Sequence, residues 1–300
     1  MENMSICSIC PRKCGVNRDE KAGFCGEKND IRIARASLHM WEEPCISGKE
    51  GSGTVFFSGC NLKCVYCQNS KIAIGDVGHV ISESELIKTF FELKEKGANN
   101  INLVTPSHFV PQIRSALIKA KKEGLDLPIV YNTSSYENVE SIKSLEGLVD
   151  VYLPDMKYVS GNLSGRYSNA PDYFNVASVA IAEMVRHQPK AIFKGSDLDT
   201  WEDTYILKGV IVRHLVLPSH VDESKRVIEY LYKTYGDSIY ISIMNQFTPV
   251  TDLSRFPEIN RKVTEEEYDE VVDFAIDLGL ENGFIQEGDT ASESFIPDFH

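Results

Sequence analysis

Thr54-Val-Phe-Phe-Ser-Gly-Cys-Asn-Leu-Lys-Cys-Val-Tyr-Cys-Gln68 is the stretch on which the reading of this chain turns. Its first four residues are β-branched or aromatic, and Ser58 and Gly59 follow, which predicts a strand running straight into a loop. That loop carries Cys60, Cys64 and Cys67 at C-x3-C-x2-C spacing. Three thiolates on one short loop can hold three irons of a cubane, whereas four would close an ordinary electron-transfer cluster. The fourth iron is then open to a ligand and becomes a reaction centre. A closed zinc site needs a fourth ligand, and none lies nearby in sequence. The competing readings are a zinc knuckle or a set of unrelated buried thiols.

Working outward, short apolar runs alternate with helical patterns. Residues 83–96 have apolar residues at helical spacing, with Ser82 as N-cap and Gly97 as the stop. Strands are predicted at 54–58, 100–105, 128–132, 148–153, 210–217 and 238–243. Helices are predicted at 83–96, 109–123, 137–145, 176–187, 222–235 and 264–278. Parallel strands need crossover connections, so this alternation predicts an α/β fold with helices outside a parallel sheet. Six units rather than eight predict a partial (β/α)6 barrel. Residues 161–173 read as a loop rich in Ser, Asn and Gly, and 193–204 as an acidic lid or surface insertion. No internal repeat or low-complexity segment is visible.

The 300 residues are 42% hydrophobic and 25% charged, enough for a substantial core. The net charge of −13 argues against a general affinity for nucleic acid, which needs clustered Lys and Arg. No apolar run approaches the roughly 18 residues a membrane helix needs. Residues 1–14 lack a basic flank followed by an apolar stretch, so no signal peptide is expected and a cytoplasmic protein is. Neither nucleic acid nor membrane is an expected partner. In that compartment clustered cysteines read as metal ligands rather than disulfides.

All eight cysteines precede Ser70. The run Cys7-x2-Cys10-x3-Cys14-x10-Cys25, with Pro11, Gly15 and Gly26 between, reads as a closed tetrathiolate site holding zinc or an auxiliary iron–sulfur cluster. Cys45 stands apart and reads as a small buried hydrophobe. The expected organisation is a cysteine-rich extension over 1–50 and the barrel over 51–300.

C-x3-C-x-aromatic-C after a first barrel strand resembles the radical S-adenosylmethionine superfamily, and the resemblance covers most of the chain. It implies a [4Fe-4S] cluster on Cys60, Cys64 and Cys67, with the amine and carboxylate of S-adenosyl-L-methionine chelating the open iron. Reductive cleavage of the cofactor would then yield a 5′-deoxyadenosyl radical that abstracts hydrogen. Tyr66 matches the aromatic that packs near the adenine. The family's glycine-rich motif at the second strand is absent. In its place stand Thr105 and Ser107, which either accept from the cofactor amine or merely cap the next helix. Leu153-Pro-Asp-Met-Lys157 resembles the D-x-K motif of glycyl-radical activating enzymes, in which the lysine pairs with the cofactor carboxylate and the aspartate helps hold a monovalent cation. Asp155 and Lys157 match that motif. The alternative is an exposed ion pair at a strand end. Asn132 stands where that pattern has an aspartate, and Thr133 is retained. Arg213 and His214 lie inside an apolar strand and must face the barrel interior or find partners, as cofactor or substrate contacts or as structural residues. Asn245-Gln-Phe247 ends the sixth strand within reach of an adenine.

The stretches Cys10-Pro-Arg-Lys-Cys-Gly-Val-Asn-Arg18, Glu43-Pro-Cys-Ile-Ser-Gly48, Arg213-His-Leu-Val-Leu-Pro218 and Phe295-Ile-Pro-Asp-Phe299 are similar to a branch related to pyruvate formate-lyase activating enzyme. Activases usually place extra cysteines after the radical motif, and here they precede it. The resemblance implies an oxidoreductase fed by a flavodoxin- or ferredoxin-type electron donor. A protein substrate such as a glycyl-radical enzyme would fit it. The other readings are an iron–sulfur electron carrier and a zinc-binding interaction module.

Overall fold

The computed structural model describes residues 6–195 and 203–286. Its strands are β1 (Ile31–His39), β2 (Ser52–Phe57), β3 (His79–Ile81), β4 (Ile101–Val104), β5 (Ile129–Thr133), β6 (Val151–Pro154), β7 (Ile192–Lys194), β8 (Tyr205–Leu215), β9 (Tyr240–Met244) and β10 (Gly283–Ile285). They form one sheet in the order β10-β9-β8-β6-β5-β4-β2-β1-β3, with β7 paired to β8. From β2 to β10 every neighbouring pair is parallel. The six expected strands are β2, β4, β5, β6, β8 and β9, and the architecture is the expected α/β partial barrel.

Alternation along the strands divides the molecule into a helix-facing layer and an interior. Val55, Leu103, Tyr131, Tyr152, Val212 and Ile241 pack outward into the main core with the helices. Val130, Val151, Leu153 and Ile211 pack inward with Cys45 and Ile46, sealing the base of the barrel. Two residues further along three of those strands the inward positions become Asn132, Asp155 and Arg213. The polar interior therefore begins at the C-terminal ends of the strands, where barrel active sites lie.

The helix Glu83–Glu95 starts as expected. The Ser82 hydroxyl accepts from the Glu85 amide, while the Glu85 carboxylate accepts from the Ser82 amide, satisfying two otherwise orphaned donors. The loop expected over 161–173 is instead a helix at Gly161–Ser168. Ser160 caps its start, Asn169 ends it in the left-handed conformation, and Tyr167 and Ser168 are buried beneath it. Of the residues that suggested a loop, Asn162 is exposed and Asn169 ends the helix, while Ser164 and Ser168 are buried.

The expected boundary at residue 50 is corrected, because it falls inside a hairpin. β1 pairs antiparallel with β2 from Ile33–Phe57 to His39–Ser52. The connection between them folds into the short helix Pro44–Ser47, whose Cys45 and Ile46 plug the barrel base. Cys45 is thus the buried hydrophobe expected. In the stretch 193–204, Phe193 and Lys194 belong to β7, while residues 196–202 lie outside the described residues, as does Phe295-Ile-Pro-Asp-Phe299. Among the described residues no helix is long and apolar enough to cross a membrane.

Candidate active site

A cavity of about 450 Å³ opens at the C-terminal ends of the strands. Cys60, Cys64 and Cys67 line it together with Tyr66, Thr105, Asn132, Thr133, Asp155, Lys157 and Arg213. Glu42 and Glu43 reach it from the β1–β2 connection, and Met244 and Gln246 from the end of β9.

The cysteine loop is held from behind. Gly59 has φ +80°, and a Cβ there would stand 2.5 Å from Glu27 Cγ and 2.7 Å from the Cys25 carbonyl oxygen, so only glycine fits. The Cys60 amide donates to that same Cys25 carbonyl at 3.1 Å. Arg12 lies over the rings of Phe24 and Tyr136 and donates to the carbonyls of Asn61 (2.7 Å) and Ser168 (3.1 Å). The Ser168 hydroxyl in turn donates to Cys64 Sγ at 3.0 Å. The segment before β1 therefore braces the loop that presents the three thiols.

Burial pushes the Cys64 and Cys67 thiols up, Cys67 to about 12, and Cys60 and Cys64 beside Cys67 add to its shift. Three neighbouring half-buried thiolates repel one another unless a cationic centre takes their charge. That donor set fits an iron–sulfur cluster. Among the described residues no three His, Cys, Asp or Glu side chains stand around a single metal ion. A cubane places each thiolate on a different iron, so one converging point is not required. Tyr66 lies edge-on to Phe247 at 5.8 Å, and its hydroxyl meets that of Tyr158 at 2.6 Å.

Across the cavity stands a buried charge network. Arg213 donates from Nε to Asp155 Oδ1 (3.0 Å), from Nη1 to Glu42 Oε2 (3.1 Å) and from Nη2 to Asn132 Oδ1 (2.6 Å). Lys157 Nζ donates to Asp155 Oδ2 at 2.7 Å. Burial alone would push the Asp155 carboxyl up, but Lys157 and Arg213 outweigh it and hold it below the usual carboxylate range. Burial opposes the charge on Lys157, yet Asp155 and Cys64 keep its pKa raised. Asp155 thus has two of the protein's own cations beside it, Lys157 and Arg213, and the Asn132 amide donates to Glu42 Oε1 at 3.4 Å.

Two expected cofactor contacts do not face the cavity and are corrected. Ser107 is buried and donates to Glu137 Oε1 at 2.5 Å. His214 is buried, its Nδ1 lies 2.8 Å from the Met156 carbonyl, and burial lowers its pKa to about 4, so it is a neutral structural histidine. Thr133 lines the cavity, but its hydroxyl also donates to Glu137. Thr105 lines it in a left-handed conformation (φ 57°), a strained state for a β-branched residue and one that clusters at functional sites. Gln246 lines the cavity, while Phe247 is buried behind Tyr66.

The N-terminal cysteines lie on a run of tight turns, and among the described residues no three of them are grouped to hold a single metal ion. The Gly15 amide bonds the Cys7 carbonyl, and the Lys13 amide bonds that of Cys10. A Cβ on Gly23 would lie 3.2 Å from Cys14 Sγ and 3.5 Å from Cys25 Sγ. Burial raises the pKa of Cys10 to about 11, with Cys25 and Cys7 adding to the shift.

Glu42 and Glu43 escaped the sequence reading. The available signal was Arg213: a guanidinium inside an apolar strand requires acidic partners, and this acidic pair stands directly before a proline.

The fold agrees with that of known proteins. Residues 54–164 match the Radical SAM superfamily profile, a stretch that covers the cysteine loop and strands β2, β4, β5 and β6. An uncharacterised protein of Methanocaldococcus jannaschii is 29% identical over 283 residues, covering 92% of this chain and 75% of that one. Streptococcus suis SuiB bound to S-adenosylmethionine shares the fold with a TM-score of 0.53 at 14% identity, over 78% of this chain and 52% of SuiB. HydG, a maturase of the [FeFe]-hydrogenase, has a TM-score of 0.51 at 15% identity, over 79% of this chain and 52% of HydG. The chain thus spans about half the length of these two structures, and the likeness to them is one of fold.

Proposed function

We propose that this chain is a radical S-adenosylmethionine enzyme whose cavity takes the cofactor between the cysteine loop and the Asp155–Lys157–Arg213 network. The observation that carries the reading is that one cavity joins three half-buried thiols to a lysine placed at a strand end. Cys60, Cys64 and Cys67 would hold a [4Fe-4S] cluster. With S-adenosylmethionine bound, the pair supplies one-electron cleavage of a sulfonium carbon–sulfur bond and hence hydrogen-atom abstraction. The chain's own part is placement. Lys157 offers a charged donor to a carboxylate, Asp155 holds that donor in position, and Tyr66 and Phe247 provide the apolar wall. A barrel mouth shielded on several sides keeps water from a reactive species. An electron carrier gains nothing from a lysine aimed at a carboxylate, nor from a cavity beside its cluster. A reducing electron donor is required. A protein substrate such as a glycyl-radical enzyme fits the resemblance to the activating enzymes.

Release of 5′-deoxyadenosine by the reduced protein tests the chemistry. Lys157→Met tests the placement. A charge-assisted hydrogen bond is worth roughly 1.5–3 kcal/mol, so the variant should bind S-adenosylmethionine about tenfold to a hundredfold more weakly, with iron content unchanged. Unchanged affinity would remove Lys157 from the cofactor site.

We further propose that Cys7, Cys10, Cys14 and Cys25 bind a separate zinc or iron centre whose loss harms folding, since structural metal binding is coupled to folding free energy. Metal analysis of a triple alanine variant at Cys60, Cys64 and Cys67 should still find zinc or iron. A metal-free triple variant would dispose of the second centre.

A further inference from the structure

Glu43 lines the cavity and lies in the field of Arg213, but makes no hydrogen bond within the network of Arg213, Asp155, Glu42 and Lys157. It is 8% exposed, and its Oε2 is buried without a hydrogen-bond partner. It occupies the N-cap position of Pro44–Ser47, yet its side chain makes no capping bond there. Burial pushes its carboxyl up, against the pull of Arg213 and a hydrogen bond with Ser242, and Glu42 adds to the rise. A buried carboxylate with an unsatisfied oxygen is costly unless a cation comes to it.

The charges in the cavity indicate what that cation is. Counted as ionised, Glu42, Glu43 and Asp155 face Lys157 and Arg213 among its lining residues, one carboxylate more than the cations, and burial, which raises both glutamates, makes that excess costly. A [4Fe-4S]2+ cluster on three thiolates carries one net negative charge, and S-adenosylmethionine, with its sulfonium, ammonium and carboxylate, one net positive. Those two cancel, so cofactor binding leaves the excess in place. The net charge of −13 favours the approach of cations. Trp41, 59% exposed and lining the same cavity, offers an aromatic face beside the route in.

We propose that Glu43 anchors a positively charged group of the substrate, an alkylammonium or a guanidinium. This rests on the radical S-adenosylmethionine reading of the same cavity.

The test uses the full chain, reconstituted anaerobically with iron and sulfide and loaded with S-adenosylmethionine. The probes are n-pentylamine, n-pentylguanidine, 1-pentanol and pentanoate, titrated by ligand-observed NMR. The two cations should bind at least about tenfold more tightly than pentanol, with pentanoate weakest. Glu43→Gln should remove that preference while leaving the affinity for pentanol within about twofold. Its thermal midpoint should equal or exceed that of the parent, because a costly buried carboxylate becomes neutral. Equal binding of amine and alcohol by the parent overturns the proposal, as does a preference that survives Glu43→Gln. A variant that loses S-adenosylmethionine but keeps the preference would assign Glu43 to the cofactor and overturn it as well. If the parent does not bind S-adenosylmethionine, the radical reading fails by itself, and the ranking of probes on the same protein still decides Glu43.

Discussion

Replacing Cys60, Cys64 or Cys67 singly by alanine should reduce 5′-deoxyadenosine release from S-adenosylmethionine to background. Two thiolates on this loop cannot retain an intact cubane with one open iron. The loop itself should survive the substitution. Its backbone is tied down by the Cys60 amide on the Cys25 carbonyl and by Arg12 on the Asn61 carbonyl, neither of which needs a thiol. Circular dichroism should therefore remain that of the parent while cluster absorbance and iron content fall. Any of the three variants that is purified anaerobically and cleaves the cofactor at the parent rate would sink the assignment of these cysteines.

Arg213→Met should carry the largest stability cost among the charged residues of the cavity. The guanidinium satisfies Glu42, Asp155 and Asn132 at once, with its side chain 14% exposed and those of the two carboxylates 8% and 15%. Removing one member of a buried ion network leaves uncompensated charge and costs about 3–5 kcal/mol. That is a large fraction of the 5–15 kcal/mol typical of a folded domain. Urea denaturation should show the midpoint falling with the slope unchanged. Adding Glu42→Gln to Arg213→Met should recover part of the loss, because one of the stranded charges is then gone. A midpoint equal to that of the parent in the single variant would mean that Arg213 is solvated and that the network does not hold the site together.

The distance between these two predictions in the sequence shows what was legible there. Cys60, Cys64 and Cys67 lie within eight residues, and their spacing alone implies a shared metal centre. Asp155 and Lys157 also lie close together, and two residues apart on a strand end places both side chains on one face. Both sites were visible for the same reason: local spacing dictates which side chains share a face or a loop. Glu42 carried no such sign. It meets Arg213 from 171 residues away, and only closure of the sheet brings the two together. Ser107 and His214 show the converse. Each sits at a strand end, or one residue from an inward-facing position, and each turns away from the cavity to a buried partner, Glu137 or the Met156 carbonyl. One residue of register changes the face, and position along the chain does not reveal it.

By itself the sequence determined the α/β class, the six core parallel strands and the cysteine loop at the end of the first of them. Hydrophobic periodicity and thiol spacing are local properties, and local physical chemistry is sufficient to read them. Only the tertiary structure decided that the segment before residue 51 belongs to the sheet, with β1 paired to β2 and Pro44–Ser47 plugging the barrel base. It also decided that Arg213 joins Lys157 on Asp155 and that Glu42 and Glu43 reach the cavity. Those outcomes depend on contacts between residues far apart in the chain, formed when the barrel buries its charges and each must find a partner.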